Sequence, residues 1–241
     1  MAQNTKKYRN EWKYIITEDL IPELMNRLSA ILENDSFSTS DGSYDIHSLY
    51  FDDQYDRCIR ENDAGVGYRF KYRIRYYNKP LLDGFPKMKL ERKEKLNGRC
   101  YKESYPLSDK EYSSIIRQDY DHILWSNPDS LLQRFATDML LGNYTPKAII
   151  DYKRCAFVDD TLHIRITIDR NICVSSEASS FTNGNYLHIP IQEKYRNVLE
   201  IKFDDMLPGH IRHALPLNDI AQSSFSKYYL GRKVLDGTMI K

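Results

Sequence analysis

The 241-residue sequence lacks the segments that mark an exported or membrane-spanning chain. Residues 1–10 are polar and basic, without the apolar stretch that a signal peptide requires. No apolar run approaches the roughly 20 residues that cross a bilayer. The four cysteines form no C-x-x-C pair and no Cys/His spacing typical of zinc sites, so we expect reduced thiols. These absences favour a cytoplasmic protein that is soluble by itself.

An excess of charge of one sign is also missing, since 35 Lys and Arg residues are balanced by 34 Asp and Glu residues. A nearly neutral chain carries no overall electrostatic signal for nucleic acid. Any site for an anion must therefore come from local clustering of cations. The sequence contains no G-x-x-x-x-G-K-[ST] motif, which excludes a P-loop as the phosphate site.

Alternating and β-branched segments predict an antiparallel protein with many strands. The predicted strands cover residues 7–16, 44–51, 66–77, 87–96, 99–106, 148–158, 162–168 and 198–203. Asn97-Gly98 indicates a tight hairpin between two of them. Helices are predicted over residues 17–32, 108–117, 127–141 and 226–234, with a short one near Pro208. No linker or repeat divides the chain, so we expect one domain over residues 1–241, of class α+β, around a closed antiparallel β-barrel.

The strand predicted over residues 66–77 separates its charges from its apolar residues. Arg69, Lys71, Arg73 and Arg75 fall on one face, and the other face carries only aromatic and aliphatic side chains. For a single strand, a solvated sheet face is the simpler explanation. Four cations without an acid are not typical of such a face, because like charges on neighbouring strands repel. We therefore expect an interior that is stable around a highly charged anion.

Other predicted strands combine cations with a lone carboxylate on the same face. These groups are Lys89, Glu91 and Lys93; Glu200 and Lys202; and Glu11 and Lys13. Arginine donates two parallel hydrogen bonds to phosphate oxygens, and lysine adds point charges. A carboxylate beside them suits Mg²⁺ or Mn²⁺, which take oxygen ligands and bridge phosphates. The pattern predicts a site for polyphosphate or for the triphosphate of a nucleotide.

Several short segments resemble, in the same order, those of the triphosphate tunnel metalloenzymes, in particular the polyphosphate-making domain of the vacuolar transporter chaperone complex. The segments are E-W-K-Y at 11–14, L-Y-F-D at 49–52, R-I-R-Y-Y at 73–77, L-E-R-K at 90–93, Y-K-R-C-A-F at 152–157, R-I-T-I-D at 165–169, L-E-I-K at 199–202 and F-S-K-Y at 225–228. Each segment alone is weak, but the ordered set is specific and spans nearly the whole chain.

The resemblance implies a tunnel formed by a closed barrel of eight antiparallel strands and braced by helices. It implies catalytic phosphate ligands at Lys13, Arg73, Arg75, Lys93, Arg154, Arg165 and Lys227. Further substrate contacts are expected at Arg60, Lys89, Lys202 and Ser226. A Mn²⁺ or Mg²⁺ ion is expected at Glu200, with Glu11 and Glu91 as additional candidates.

The reaction that the resemblance implies transfers the γ-phosphate of ATP to the end of a growing polyphosphate chain. Unlike the eukaryotic pattern, we expect neither a regulatory domain ahead of the predicted barrel nor transmembrane helices after it, so a separate membrane protein is expected to carry any exported product. A triphosphatase and a non-catalytic polyphosphate-binding module are the alternatives, and the complete basic set with Glu200 favours an enzyme. A nucleic-acid reader ranks low, because most tyrosines are predicted on the faces opposite the cations.

Overall fold

The computed structural model of the protein describes residues 6–78, 84–126 and 130–238, which contain ten strands and seven helices. The strands are β1 (Asn10–Thr17), β2 (Glu33–Asn34), β3 (Ser43–Asp52), β4 (Tyr68–Tyr77), β5 (Met88–Leu96), β6 (Arg99–Leu107), β7 (Thr145–Asp159), β8 (Ile164–Ser175), β9 (Ile189–Pro190) and β10 (Arg196–Phe203). The helices are α1 (Ile21–Ser29), α2 (Arg57–Asp63), α3 (Asp109–Ile116), α4 (Asp121–Ser126), α5 (Ser130–Gly142), α6 (Gly209–Ala214) and α7 (Lys227–Leu235). The class is α+β, as predicted.

All strands belong to one antiparallel sheet with the order β1-β10-β8-β7-β3-β4-β5-β6, and the short strands β2 and β9 pair with β7 and β8. This order has two ends, so the ladder is not continuous and the expected closed barrel is wrong. The sheet instead curls until its edges meet at a seam, formed by the Arg9–Cys100 bridge and the Lys93–Glu11 ion pair. Two backbone hydrogen bonds of 2.9 and 2.8 Å make the bridge.

The seam is short because of where it lies in the chain. Cys100 comes two residues after Asn97-Gly98, where both residues have positive φ, as the predicted hairpin turn requires. In an antiparallel register, the residues after Arg9 run past this turn, where β6 begins. Pairing between the two edge strands therefore runs out, and side-chain contacts hold the remaining edges together.

Apolar residues on the outer face of the sheet form two cores beneath helices. Tyr72, Ile74 and Tyr76 of β4 pack with residues of α3, α4 and α5, including Phe135. A second core joins β1, β8 and β10 to α1 and α6. The capping box predicted at Ser108 and Glu111 is present and begins α3. These helices thus cover the sheet face opposite the four cations of β4.

Helix α7 packs on the inner side of the curled sheet. Its Gly231 lies so close to β7 and β8 that a Cβ atom there would be 2.6 Å from Ile150 and 3.0 Å from Val174. Only glycine allows this approach without displacement of those side chains. The packing fixes the helix N-terminus, at Ser226 and Lys227, beside the inward-facing cations.

Several predicted boundaries differ from the observed ones. The helix predicted over residues 17–32 is shorter, because β1 continues to Thr17 and a single 3₁₀ turn precedes α1. Strand β8 continues to Ser175, well beyond the predicted end, and helices α2 and α4 were not predicted. Residues 127–129 of the helix predicted over residues 127–141 lie outside the described residues. Among the described helices, none has the length and apolar character needed to span a membrane.

Candidate functional site

The curled sheet surrounds a cavity of about 480 Å³ whose lining is rich in cations. Its walls come from β1, β4, β5, β7 and β10 and from the N-terminus of α7. Ten cationic side chains line it: Lys13, Arg69, Lys71, Arg73, Arg75, Lys93, Lys95, Arg154, Lys202 and Lys227. The carboxylates in the same lining are Glu11, Glu94 and Glu200. This excess of positive charge suits an anion with several negative charges.

The alternation of β4 accounts for the largest group of these cations. Arg69, Lys71, Arg73 and Arg75 all line the cavity, as their shared face predicts. The intervening residues pack outward into the helix-covered core. Since successive side chains of a strand point to opposite faces, one strand contributes to both environments.

Arg73 is held in place by a buried acid beneath the cavity wall. Its Nε donates a 2.7 Å hydrogen bond to Glu91, which also accepts one of 2.8 Å from Lys102. Burial acts to raise the pKa of Glu91, but the neighbouring arginines outweigh it and hold the pKa well below its ordinary value. Glu91 is fully buried and does not line the cavity. Glu91 therefore holds Arg73 in position and does not join Glu11 and Glu200, the other two carboxylates predicted to bind metal.

Arg154 and Lys227 share a second buried acid, Asp169. Arg154 donates hydrogen bonds of 2.6 and 2.8 Å to both oxygens of Asp169, and the Lys227 ammonium lies 2.5 Å from one of them. Burial acts to raise the pKa of Asp169, but these two cations lower it to about 2. The sequence analysis gave Asp169 no role. The pairing of Asp169 with Arg154 depends on the register between two strands, so the pattern within either strand alone did not reveal it.

Glu11 and Glu200 lie on neighbouring strands at the floor of the cavity. The Lys13 ammonium lies 3.3 Å from Glu11 and 3.4 Å from Glu200. Lys93 lies 2.9 Å from Glu11, and Lys202 lies 2.6 Å from Glu200. Burial acts to raise the pKa of Glu11, but the three lysines together hold it at about 2. Burial also lowers the pKa of Lys202 to about 8, although the two acids oppose this shift.

The same two carboxylates fit a divalent cation. Mg²⁺ is typically held by one or two protein carboxylates and completes its shell with phosphate oxygens. The shared contact with Lys13 shows that both carboxylates reach one positively charged group. Within the described ranges, no group of three or more His, Cys, Asp or Glu side chains could hold an ion by itself. A metal at this position would therefore depend on oxygens of the bound anion.

Three tyrosines also line the cavity, whereas the sequence analysis expected most tyrosines on the faces opposite the cations. The Tyr50 hydroxyl accepts a 2.9 Å hydrogen bond from Arg73, and the Tyr152 hydroxyl accepts one of 3.0 Å from Arg75. Burial acts to raise the pKa of Tyr50, but the adjacent arginines outweigh it and lower the pKa to about 7. These hydroxyls orient the guanidinium groups, while Tyr228 stacks on Tyr50.

Three of the predicted phosphate ligands do not line the cavity. Arg165 forms an ion pair with Asp35 and donates a 2.8 Å hydrogen bond to Tyr44. Arg60 is exposed on a helix, where strand alternation does not direct its side chain inward. Lys89 lies opposite Arg75 in register, but its ammonium lies over the ring of Phe37, 5.9 Å away. The other predicted cations and Ser226, which caps α7, all line the cavity.

The curled sheet and its cation-rich cavity define the class of the chain, an α+β protein with a positively charged cavity inside one antiparallel sheet. The model of the VTC domain matches residues 8–236, so the chain belongs to the VTC domain family. No curated protein matches the sequence significantly.

Three solved structures resemble the chain at low sequence identity. A candidate adenylate cyclase from Bacillus halodurans has a TM-score of 0.53 and 11% identity, covering 92% of this chain and 95% of that one. A candidate adenylate cyclase from Vibrio parahaemolyticus has a TM-score of 0.47 and 10% identity, covering 94% and 98%. A protein from Pyrococcus horikoshii has a TM-score of 0.46 and 13% identity, covering 95% and 99%. At 11% identity, the likeness to the Bacillus halodurans structure shows the fold alone.

Proposed function

We propose that the protein is a metal-dependent polyphosphate polymerase that transfers the γ-phosphate of ATP to the end of a polyphosphate chain. The observation that carries this proposal is the cavity of about 480 Å³ with ten cations and three carboxylates in its lining. Membership of the VTC domain family supports the same reaction class. The VTC family resemblance favours linear polyphosphate as the acceptor over water.

In this reaction, a terminal oxygen of the polymer attacks the γ-phosphorus of ATP, and the bond to the β,γ-bridging oxygen breaks. The new bond extends the polymer by one phosphate, and ADP leaves with the bond's electron pair. The attacking oxygen belongs to an ionised phosphate, so no side chain is required to remove a proton. Catalysis then depends on positioning and on neutralisation of charge.

The buried arginines are suited to hold the transferred phosphate. Arg73 and Arg154 are each fixed from behind by an acid, so their remaining N–H groups are oriented toward the cavity before the anion arrives. Preorganised donors of this kind avoid reorganisation during the reaction. Lys227 adds a charge at the N-terminus of α7, where unpaired backbone N–H groups also favour an anion.

Glu11 and Glu200 would hold Mn²⁺ or Mg²⁺ together with phosphate oxygens. When bound, the ion would neutralise charge on the phosphate oxygens. Lys13, between the two carboxylates, keeps them close to each other in the absence of the ion. The residues of the floor thus orient both the ion and the phosphate chain.

The direct test is to incubate the purified protein with ATP and Mn²⁺ and to separate any polymer on a gel. We expect polymer from the wild type and at least about a hundredfold slower synthesis by Glu200→Gln, because one of two metal carboxylates is lost. The control is Glu193→Gln, which removes an exposed acid outside the cavity. Phosphate release without polymer would identify a triphosphatase, and tight binding without turnover would identify a binding module.

A further inference from the structure

Three of the ten cavity cations have no acidic partner among the residues that the structure describes. Seven of them have a carboxylate within 4.0 Å. For Arg69, Lys71 and Lys95, the described part of the chain provides none at that distance. Arg69 donates a 2.7 Å hydrogen bond to the carbonyl of Val66, and Lys71 lies 3.3 Å from the hydroxyl of Ser226. Neutral acceptors of this kind leave the positive charge uncompensated.

The three cations are neighbours on the paired strands β4 and β5. Arg69 lies directly opposite Lys95 in register, and Lys71 lies two residues along β4, about 7 Å away. Like charges opposite each other on adjacent strands destabilise a sheet. A cluster that lowers stability in this way is consistent with a site whose ligand is a separate anion.

The lysines of the cavity titrate differently according to their partners. Burial lowers the pKa of Lys71 and of Lys95, and Arg69 lowers both further. The pKa of Lys93 and of Lys13 is instead raised, because nearby acids outweigh burial. Lys71 and Lys95 therefore gain more from an added anion than the lysines that already have carboxylate partners.

The uncompensated cluster lies toward the more exposed end of the β4 row. Arg73 and Arg75 are 9% and 5% exposed, whereas Arg69, Lys71 and Lys95 are all partly exposed. From Arg75 to Arg69 the row extends over six residues, or about 20 Å of strand. This length exceeds that of three linked phosphates, so a triphosphate held at Arg73 and Arg75 would not also fill the outer end.

We propose that Arg69, Lys71 and Lys95 form a distal subsite that binds the part of a linear polyphosphate lying beyond its first three phosphates. The subsite lets the protein bind long chains more tightly than tripolyphosphate. This inference rests on the proposed function for the chemical identity of the ligand. It adds a chain-length preference that the paired cations of the inner cavity do not explain.

The test compares two anions by calorimetry, without metal ion or ATP, so that no turnover occurs. Tripolyphosphate and a linear polyphosphate several times longer are titrated into the wild type and into the double variant Arg69→Gln/Lys95→Met. We expect the affinity for the long chain to fall at least about tenfold, and that for tripolyphosphate to change less than about twofold. The matched control, Lys110→Met/Arg117→Gln, removes two exposed cations outside the cavity and is expected to change neither affinity.

Equal losses for the two anions, or no loss for the long chain, would overturn the distal subsite. The single variant Lys95→Met provides the same comparison if the double variant does not fold. Failure of the proposed function gives a different result: no polymer forms from ATP, while the wild type still prefers the longer anion. Polymer synthesis without a chain-length preference rejects the subsite alone.

Discussion

The two faces of strand β4 place similar numbers of residues in opposite environments. On the outer face, Tyr72, Ile74 and Tyr76 are almost completely buried against helices. On the inner face, Arg73 and Arg75 are also buried, but among acids, hydroxyls and other cations. Both faces are removed from water. Only the burial of the apolar outer face stabilises the fold without any further interaction.

The contrast between the two faces of β4 shows that the fold is stabilised by the outer face, while the inner face is suited to bind a ligand. Apolar burial on the outer face contributes without any ligand. On the inner face, removal of charges from water costs free energy that ion pairs offset only in part. The inner face is therefore expected to depend on a bound anion, and four changes test this contrast.

The largest effect is expected on the outer face, from Phe135→Ala. Phe135 is fully buried and contacts the rings of Phe51 and Tyr72 at centroid distances of 5.2 and 5.1 Å. Its truncation should lower the free energy of unfolding by about 3–5 kcal/mol, measured by urea denaturation. Anion affinity of the folded fraction should stay unchanged, and a parallel loss of affinity would show that the two faces are not independent.

The second effect is stabilisation of the inner face by its ligand. Tripolyphosphate at a hundred times its dissociation constant should raise the free energy of unfolding by about 2.7 kcal/mol, because it binds the folded state only. Thermal unfolding with and without the anion measures this, with sodium chloride at equal ionic strength as the control. Lys227→Met should reduce the shift, since Lys227 lines the cavity. An equal shift in chloride would contradict an enclosed anion site.

The third effect concerns Tyr50, whose pKa falls from an ordinary value near 10 to about 7. A lowered pKa adds stability that is complete above pH 10 and is lost as the pH falls through 7. Relative to Tyr50→Phe, the wild type should therefore lose up to about 1.4 kcal/mol of unfolding free energy per pH unit between 10 and 7. Tyrosinate absorbance gives the midpoint directly, and a midpoint that stays near 10 would refute the prediction.

The smallest effect is expected from Arg60→Gln, which changes neither face. The sequence predicted a substrate contact, but Arg60 is exposed and does not line the cavity. Unfolding free energy should change by no more than about 0.5 kcal/mol, as for most surface positions. Polymer synthesis from ATP should stay within about twofold of wild type. A tenfold loss would mean that the anion site extends to Arg60, beyond Asn62 of the same helix.

Strand alternation made the inner face of β4 predictable, because one period-two pattern identified all four of its cavity cations. The hairpin at Asn97-Gly98 was predictable for a similar reason, since its turn requires residues that tolerate positive φ. Both features depend on neighbours in sequence. The long strand β8 was less predictable, because its second half follows Asp169 and lacks a regular alternation.

Partners from distant strands could not be read from the same patterns. Asp169 holds Arg154 only because β7 and β8 have the observed register, which includes a bulge between Asp151 and Lys153. Arg165 shares the inward face of its motif, yet the buried acid Asp35 on a distant loop binds it. The open seam likewise depends on where the edges of the sheet meet, and the sequence pattern of single strands does not report this.

The pairing of the first long strand with the last has a consequence for how the protein is made. Strand β1 forms its ladder with β10, so Glu11 and Lys13 cannot meet Glu200 until residue 200 has left the ribosome. Lys227 joins later still. During synthesis, the outer helices α3 to α5 can pack on β3 to β6 well before then, because these elements are close in the chain. A ribosome-bound fragment would thus carry a packed scaffold whose floor charges are not yet assembled.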